Sequence, residues 1–305
     1  MSATQAKPER VGAVVVTFNR KTLLAECVRA LQAQTRPVDL ILVVDNASKD
    51  GTLEMLRADF PGVETLSLSK NGGGAGGFHA GMKHAFEAGF DWIWLMDDDG
   101  QPAPDCLEKL LEAAAQSSEP PSVVLPIQQD NLGRFYGINI EKQGVAGHIV
   151  ERGEPQQGEF LFTFVGPLLS RRVIEKVGLP IKEFFIWLDD FEYSLRINKA
   201  ELPIVAVPAA RFSHDPGGEV REVFVLGRRS LRAQQPAWKI YYGARNGLYI
   251  ISRAHPNRRE ILPFLINETK LLLGDLVYEP ERWKRVRFRL RGIRDGARGR
   301  LGKRT

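Results

Sequence analysis

The sequence of 305 residues has few cysteines, no long apolar run and no apolar segment at its start. Its two cysteines, Cys27 and Cys106, lack the close spacing of zinc ligands, so we expect buried apolar side chains and no disulfide. No stretch approaches about 18 consecutive apolar residues, which predicts that no helix spans a membrane. Residues 1–8 lack the apolar core of a secretory signal, and a cytoplasmic protein is therefore expected.

Basic residues are distributed unevenly along the chain. Residues 281–305 contain 11 Lys and Arg against Glu281 and Asp295, a local charge of +9. Because the whole chain carries +5, residues 1–280 carry −4. The basic character is therefore a feature of the C-terminal segment alone.

Apolar, β-branched runs alternate with segments of helical spacing in the first 115 residues. Such runs predict buried parallel strands, and the periodic segments between them predict crossover helices. The predicted strands are 11–17, 40–44, 63–68 and 92–96, and the predicted helices are 21–34, 52–59, 77–88 and 106–115. The fold class is α/β, a mostly parallel sheet flanked by helices, whose ligands are expected beyond the C-terminal ends of the strands.

The pattern is less regular in the second half of the chain. Apolar runs predict strands at 160–169 and 204–208, and helical spacing predicts helices at 171–177 and 189–199.

Asp97, Asp98 and Asp99 directly follow the apolar run 92–96. Acidic clusters repel themselves, so they are retained where a cation or a proton-transfer task compensates. Residues two apart in an extended segment project to the same side, so Asp97 and Asp99 can flank one hard cation. A solvated acidic turn is the alternative, and the buried strand before it argues against that. We predict a site for Mn²⁺ or Mg²⁺.

A second acidic segment follows the apolar residues 184–188. It contains Asp189, Asp190 and Glu192, and a carboxylate here can act as a general base. A metal site combined with a base suits the transfer of a group away from a diphosphate. On a helix that begins near Asp189 the two aspartates diverge by about 100°, so one of them is expected to face the substrate. Asp189 is alternatively a helix cap.

The glycine-dense segment 71–77 lies between a predicted strand and a predicted helix. Glycine lets the backbone approach a ligand closely, and a helix N-terminus favours an anion. The glycines are too dense, and too late in the chain, for the dinucleotide-binding fingerprint. We predict a phosphate-contacting loop, and a flexible loop without a ligand is the alternative.

Five motifs in this order resemble the inverting nucleotide-sugar glycosyltransferases of family 2, which have the GT-A fold. They lie within residues 10–215 and are 14–20 (VVVTFNR), 43–46 (VVDN), 71–78 (NGGGAGGF), Asp97-x-Asp99 and Trp187-x-Asp189-Asp190-x-Glu192. The resemblance implies that Asp45 contacts the nucleoside and that Asp190, two residues before Glu192, is the general base.

The same resemblance implies roles for further residues. Metal ligands are expected at Asp97, Asp99 and His214, because a histidine at a similar place completes the metal shell in galactofuranosyl-transferring relatives. Nucleotide-sugar binding is expected at Thr17, Arg20, Asp45, Asn71, Gly73, Gly74, Gly76, Gly77 and Asp98. Acceptor binding, or support of the residues that bind it, is expected at Trp187, Asp189 and Glu192.

Three segments are predicted under this resemblance. Residues 1–125 form the nucleotide-sugar-binding half of the GT-A domain, and residues 126–215 form the acceptor-binding and catalytic half. Residues 216–305 form a basic, aromatic and helical region that contacts either the membrane surface or the acceptor. A solvated basic tail and a nucleic-acid site are alternatives for 281–305. The interleaved aromatic residues favour an anionic membrane surface, and no nucleic-acid motif is present.

The glycine segment resembles most that of bacterial galactofuranosyltransferases. We therefore expect a metal-dependent transfer of galactofuranose from UDP-galactofuranose to a polyprenyl-linked or polysaccharide acceptor, by an enzyme on the inner face of the cell membrane. Rhamnosyl transfer from dTDP-rhamnose is the alternative within the class, since rhamnosyltransferases share the segment 241–246. A sugar nucleotidyltransferase lacks support because 16–20 contains no glycine, and a carbohydrate-binding protein without activity would not need both acidic motifs.

Overall fold

The computed structural model describes residues 9–129, 135–136, 138–140, 156–157, 160–214, 220–225, 228–233 and 235–304. Residues 1–8, and parts of the predicted segments 126–215 and 216–305, lie outside the described residues. The strands are β1 Val11–Thr17, β2 Leu40–Asp45, β3 Glu64–Ser67, β4 Trp92–Asp97, β5 Gln101–Pro102, β6 Val123–Gln129, β7 Phe135–Tyr136, β8 Ile138–Ile140, β9 Gln156–Gln157, β10 Phe160–Phe162, β11 Leu168–Ser170, β12 Ile204–Ser213, β13 Val220–Val225 and β14 Arg228–Ala233.

The helices include most of the segments that the periodicity predicts. They are α1 Lys21–Gln32, α2 Thr52–Asp59, α3 Gly73–Glu87, α4 Cys106–Gln116, α5 Arg171–Val177, α6 Asp189–Lys199, α7 Ala237–Tyr249, α8 Arg258–Tyr278 and α9 Arg282–Ala297. None of the described helices is long and apolar enough to cross a membrane.

The contacts divide the chain into two compact units. Unit 1 comprises Met1–Ile181 and Tyr193–Asp215, and unit 2 comprises Lys182–Glu192 and Pro216–Thr305. Unit 2 therefore combines a short segment from the middle of the chain with the C-terminal region.

A single large sheet organises unit 1. Its strands follow the order β3-β2-β1-β4-β11-β6-β12-β5, with β7 and β9 pairing at β6 and β12. The first four strands of this order are parallel, as the sequence predicts, whereas β11 runs antiparallel between β4 and β6. The parallel strands β1, β2 and β4 direct their C-terminal ends to one edge, and this edge carries the predicted site residues.

Apolar side chains cover both faces of this sheet. Successive residues of a strand point to opposite faces, so Val11, Ala13 and Val15 of β1 pack into one core cluster with α1 and α4. Val14 and Val16 pack into a second cluster with α3, α5 and α6. Burial on both faces explains why the sequence of β1 is a continuous apolar run without alternation.

Three predicted boundaries differ from the structure. Helix α3 begins at Gly73, so the glycine segment is the first turn of the helix and the prediction of a loop up to residue 77 is wrong. The predicted strand 160–169 is two strands, β10 and β11, that pair with different neighbours. Strand β12 continues to Ser213, beyond the predicted end at 208, because its far half pairs with β6 after an irregularity in register.

Helices α7, α8 and α9 dominate unit 2. Gly292 of α9 allows a close crossing, since a Cβ atom there would lie 2.4 Å from the carbonyl oxygen of Tyr241 on α7. Tyr241 also donates a hydrogen bond to Asp295 at 3.0 Å. The alternative of a solvated basic tail is therefore wrong, because most of 281–305 is a helix packed into the unit.

Candidate active site

Three potential metal ligands meet at the C-terminal edge of the sheet in unit 1. One ligand atom from each of Asp97, Asp99 and His214 lies within 4.8 Å of the other two. Asp97 ends β4, and Asp99 lies in the turn that follows, so a turn brings the two carboxylates together and not the extended strand that the sequence suggested. His214 follows β12, whose pairing with β6 brings it to the same edge.

The carboxylate of Asp98 points into the protein. Its Oδ2 accepts a hydrogen bond from the Thr17 hydroxyl at 2.7 Å, and its Oδ1 lies 3.3 Å from Nη1 of Arg20. The same Nη1 lies 2.8 Å from Oδ2 of Asp99. Arg20 and Thr17, both predicted as nucleotide-pocket residues, thus hold the acidic turn in shape.

Different surroundings move the pKa values of the two neighbouring aspartates in opposite directions. Burial raises the pKa of Asp98 above its usual range and outweighs the Thr17 hydrogen bond and the Arg20 charge. Burial also acts on Asp99, but the close contact and charge of His214, together with Arg20, outweigh it and lower the pKa of Asp99. A cation bound at this site would favour the ionised form of Asp99 in the same direction as these neighbouring charges.

The cluster fits a divalent cation. Oδ1 of Asp99 is buried and lies 3.2 Å from Nε2 of His214, yet no well-aligned hydrogen bond satisfies this oxygen. A buried carboxylate oxygen in that condition is costly unless a cation compensates it. Two carboxylates and an imidazole are ligands that Mn²⁺ and Mg²⁺ sites accept.

The glycine segment and the end of β2 form the neighbouring part of this edge. Asn46 connects them, since its Oδ1 accepts a hydrogen bond from the Gly72 amide and its Nδ2 donates to the Gly73 carbonyl. Asn71 caps the same turn by accepting from the Gly73 amide at 2.7 Å. The Asp45 carboxylate is buried and accepts from the Ser48 amide at 3.1 Å. Asn46 was missed as a site residue, although its position after a buried strand is a usable signal.

The glycines of this segment differ in what they allow. At Gly74 and Gly76 a Cβ atom would meet open space, so the backbone there is accessible to a ligand. At Gly77 a Cβ atom would lie 2.4 Å from a methyl group of Val16, which shows that this glycine is required for packing α3 against β1. The predicted ligand contact at Gly77 therefore has a competing structural reason.

The second acidic motif forms the start of α6 and belongs to unit 2. Asp189 is buried, and this burial, followed by the charge of Asp190, raises the pKa of Asp189 to about 8. Asp190 is half-buried and accepts a hydrogen bond from the Phe191 amide at 2.7 Å. Glu192 is buried with its Oε1 3.4 Å from Nε2 of His255, a neighbour that the sequence did not indicate.

The segment before this turn has an unusual backbone. Phe185, Trp187 and Leu188 all have positive φ angles, of 68°, 68° and 62°. Side chains other than glycine rarely adopt this region, and such conformations persist where surrounding contacts fix them. A strained segment directly before two carboxylates is characteristic of functional sites.

Two buried residues of α7 fix that segment. The Asn246 amide donates to the carbonyl oxygens of Phe184, Ile186 and Trp187, the last at 2.7 Å. The Arg245 guanidinium donates to the Phe184 carbonyl at 2.7 Å and its Nε to Oδ1 of Asn246 at 2.8 Å. In the sequence, Arg245 and Asn246 are recognisable only as part of the segment 241–246 shared with rhamnosyltransferases, and no local pattern indicates their role.

Comparison with known proteins agrees with the arrangement of strands and acidic motifs. Residues 13–178 match the sequence profile described as Glycosyl transferase family 2. The chain belongs to this family. The family assignment and the fold made from the sequence motifs are thereby confirmed, and the protein is a glycosyltransferase.

Two curated family members are similar over most of their length. Galactofuranosyltransferase GlfT1 of Mycolicibacterium smegmatis is 30% identical over 268 residues, which cover 84% of this chain and 86% of GlfT1. The dTDP-rhamnosyl transferase RfbF of Shigella flexneri is 25% identical over 268 residues, covering 85% of this chain and 87% of RfbF.

Solved structures support the GT-A fold. Residues 1–349 of S. aureus TarS superimpose with a TM-score of 0.58 at 14% identity, covering 94% of this chain and 80% of TarS 1–349. A structure of GalNAc-T7 with UDP, GalNAc and Mn²⁺ gives a TM-score of 0.58 at 14% identity and covers 96% of this chain and 57% of that chain. The shared architecture is the sheet with flanking helices described above.

Proposed function

We propose that this glycosyltransferase moves galactofuranose from UDP-galactofuranose to a lipid-linked or cell-surface glycan acceptor, with inversion at the anomeric carbon. The observation that carries the donor choice is the similarity to GlfT1, which extends over most of both chains. The glycine segment 71–77 at the edge of the sheet supports a bound diphosphate, because Gly74 and Gly76 leave open space at the start of a helix.

A divalent cation, Mn²⁺ or Mg²⁺, is proposed at Asp97, Asp99 and His214. The support is the convergence of their ligand atoms and the unsatisfied buried oxygen of Asp99. Such a cation, when bound, neutralises charge on the departing diphosphate. Arg20, with its side chain half exposed beside Asp98 and Asp99, holds the turn and offers a second positive charge to the nucleotide.

Asp190 is proposed as the general base that takes the proton of the attacking acceptor hydroxyl. Asp189 is buried and its pKa is raised, whereas Asp190 is half-buried and therefore more accessible to an acceptor. Trp187, Asp189 and Glu192 are proposed to shape the acceptor site around it. The hydroxyl oxygen forms the new bond as the sugar–phosphate bond breaks, and the proton passes to Oδ of Asp190.

The nucleoside is proposed to bind beside Asp45, Thr17 and Asn71, at the ends of β2 and β1 and the start of α3. These residues share the edge that parallel α/β sheets use for ligands. The backbone of Gly73, Gly74 and Gly76 and the Asp98 turn complete the donor site in this proposal.

Rhamnosyl transfer from dTDP-rhamnose is the second candidate. The specific observation in its favour is the similarity to RfbF, which covers nearly the same share of the chain as the match to GlfT1. Both candidates use the same donor edge and the same base, so they differ in the sugar and the nucleoside alone.

The acceptor and the location follow from the C-terminal charge. We propose a polyprenyl-linked or polysaccharide acceptor, a peripheral position on the inner face of the cell membrane, and no nucleic-acid partner. The support is the local charge of +9 in residues 281–305, which an anionic lipid surface attracts.

A donor panel tests the proposal. The purified protein with Mn²⁺ and a polyprenyl-linked glycan acceptor is incubated in turn with UDP-galactofuranose, UDP-galactopyranose, dTDP-rhamnose and GDP-mannose, and nucleoside diphosphate release is measured. The expected result is release from UDP-galactofuranose that requires the acceptor and stops with EDTA. Release from dTDP-rhamnose alone would support rhamnosyl transfer, the second candidate. Equal rates of release with and without EDTA would contradict the proposed dependence on a divalent metal.

A further inference from the structure

Helix α8 in unit 2 directs two of its three carboxylates inward and several aliphatic side chains outward. Glu268 and Asp275 are buried, 7% and 1% exposed. Its most exposed aliphatic residues are Leu262, Ile266, Leu273 and Val277, with 65%, 47%, 56% and 69% of each residue accessible, whereas Leu271, 38% exposed, lies on a different side of the helix. A helix on the surface of a protein in water normally has the opposite polarity.

The four aliphatic residues lie in a stripe along one side of the helix, with the exposed Thr269 between Ile266 and Leu273. Their separations of four, seven and four positions keep them within a sector of about 60° on a helix with 100° per residue. At 1.5 Å per residue the stripe extends over roughly 22 Å. Transfer of such exposed aliphatic side chains from water into an apolar medium lowers the free energy.

Buried ion pairs explain why the carboxylates of α8 face inward. Nη2 of Arg289 lies 2.7 Å from Oδ2 of Asp275, and Nη1 of the same arginine contacts Glu268 at 2.5 Å. Arg285 lies 3.4 Å from Glu279. Two arginines of the basic segment, Arg285 and Arg289, are thus paired with carboxylates inside the unit. These carboxylates therefore contribute no negative charge to its surface.

The surface that remains is strongly positive. Of the six acidic residues in 258–298, four are buried, namely Glu268, Asp275, Glu279 and Asp295. Of the eleven basic residues in the same range, only Arg285 and Arg289 are buried. Helix α9 adds an open groove of about 740 Å³ lined by Trp283, Val286, Arg287, Leu290, Arg291 and Arg294.

We propose that the stripe of α8 and the cations of α8 and α9 form a binding surface for an anionic lipid bilayer, with the stripe inserted among the lipids. Aliphatic insertion and cationic contact are what an interfacial helix requires. Trp283, 74% exposed, is suited to the boundary between lipid and water. A second copy of the chain does not fit as occupant, because two such surfaces repel each other.

This inference deepens the proposed peripheral location, on which it rests, but it does not depend on the donor sugar. Lipid binding can be measured without turnover. Failure of the donor panel and failure of membrane binding are therefore separate results.

Vesicle co-sedimentation of the full chain tests the proposal. The double variant Leu262→Ser with Val277→Ser should reduce partition onto phosphatidylglycerol vesicles by about tenfold or more, because two apolar contacts are lost. Arg287→Gln should reduce it by about fivefold at low salt, and this difference should shrink at high salt. Vesicles of phosphatidylcholine should bind the wild type weakly.

Leu23→Ser is the matched control, since Leu23 is an aliphatic residue of α1 in unit 1 that is 38% exposed. It should leave partition unchanged, and thermal unfolding should be the same for all variants because every changed residue is exposed. The proposal is overturned if the double variant binds vesicles like the wild type. It is also overturned if sedimentation velocity shows that the double variant changes only the state of self-association.

Discussion

At the scale of single residues, the turn Asp97–Asp99 shows how neighbouring carboxylates acquire different tasks. Asp98 points inward to Thr17 and supports the turn, whereas Asp99 faces His214 and retains an unsatisfied oxygen. Three consecutive residues of one type thus provide a support and two candidate ligands. Local geometry and the identity of each neighbour decide between these roles.

Loss of a proposed carboxylate ligand should weaken metal-dependent donor binding. We expect Asp97→Ala and Asp99→Ala each to lower Mn²⁺-dependent UDP binding by at least about tenfold, because the diphosphate loses its counterion. Isothermal titration with UDP, with and without Mn²⁺, measures this. Glu112→Ala, which removes an exposed carboxylate of α4, should bind like the wild type. Mn²⁺-dependent binding of normal strength by both site variants would contradict the ligand assignment.

The two aspartates at the start of α6 should respond differently to the same substitution. Asp190→Asn removes the proposed proton acceptor, and transfer should fall by at least about 10²-fold while UDP binding persists. Asp189→Asn should retain most activity at pH 7, because burial raises the pKa of Asp189 to about 8 and an amide resembles its protonated form.

Initial rates of transfer with saturating donor measure both aspartate variants. The reverse outcome, an inactive Asp189→Asn and an active Asp190→Asn, would assign the role of general base to Asp189 instead of Asp190. Thermal unfolding checks that neither substitution disrupts the start of α6.

At the scale of elements, α7 determines the shape of the segment that carries the second acidic motif. Asn246 supplies hydrogen bonds to three carbonyl oxygens, and this network stabilises the positive φ angles of Trp187 and Leu188. Gly243 has a related role, since a Cβ atom there would lie 3.0 Å from the Trp187 ring. The helix therefore acts on the proposed base through the backbone before it.

Asn246→Asp tests this positioning role. The substitution is nearly isosteric, but it removes the amide donors and directs a carboxylate at carbonyl oxygens. We expect the kcat of transfer to fall by about 10²-fold, as a small misplacement of a reacting group does. The KM for the donor should change little, because the residues proposed to bind the donor belong to unit 1.

Asn198→Asp is the matched control. Asn198 also donates to two carbonyl oxygens, those of Phe160 and Ser194, at 3.0 and 2.9 Å. Both variants should unfold at lower temperature, but only Asn246→Asp should show the large loss in kcat. Equal losses of kcat would reduce the role of Asn246 to general stability.

At the scale of the whole molecule, the positive charge of the C-terminal segment is divided between the interior of unit 2 and its surface. Arg285 and Arg289 neutralise buried carboxylates, whereas Arg287 and Arg294 remain exposed. Deletion of 281–305 would remove α9 and disrupt unit 2. Point substitutions therefore separate the structural arginines from those available to a partner.

Arg289→Met should destabilise the protein strongly. It removes the cation that contacts Glu268 and the nearer of the two arginines beside Asp275, and breaking such a buried pair costs about 3–5 kcal/mol. Urea unfolding followed by fluorescence measures the loss. Arg287→Met, two positions away on the exposed face, should change the free energy of unfolding by less than about 0.5 kcal/mol. Similar stabilities of the two variants would contradict the inward orientation of Arg289.

The sequence by itself determined most of the sheet in unit 1 and the identity of the acidic motifs. The apolar run 11–17 matches β1, and the predicted helices at 52–59, 171–177 and 189–199 match α2, α5 and α6 at both ends. These features depend on periodicity within a short window, which the sequence displays directly. The family resemblance used the same local motifs.

The tertiary structure alone decided which distant residues meet. The pairing of β12 with β6 brings His214 to Asp99, and the packing of α3 against Val16 gives Gly77 a structural reason that the sequence did not indicate. The grouping of 182–192 with the C-terminal region, and the inward turn of Arg289, also depend on contacts between residues far apart in the chain. Local spacing carries no information on such contacts, because burial and ion pairing are set by whichever elements pack together.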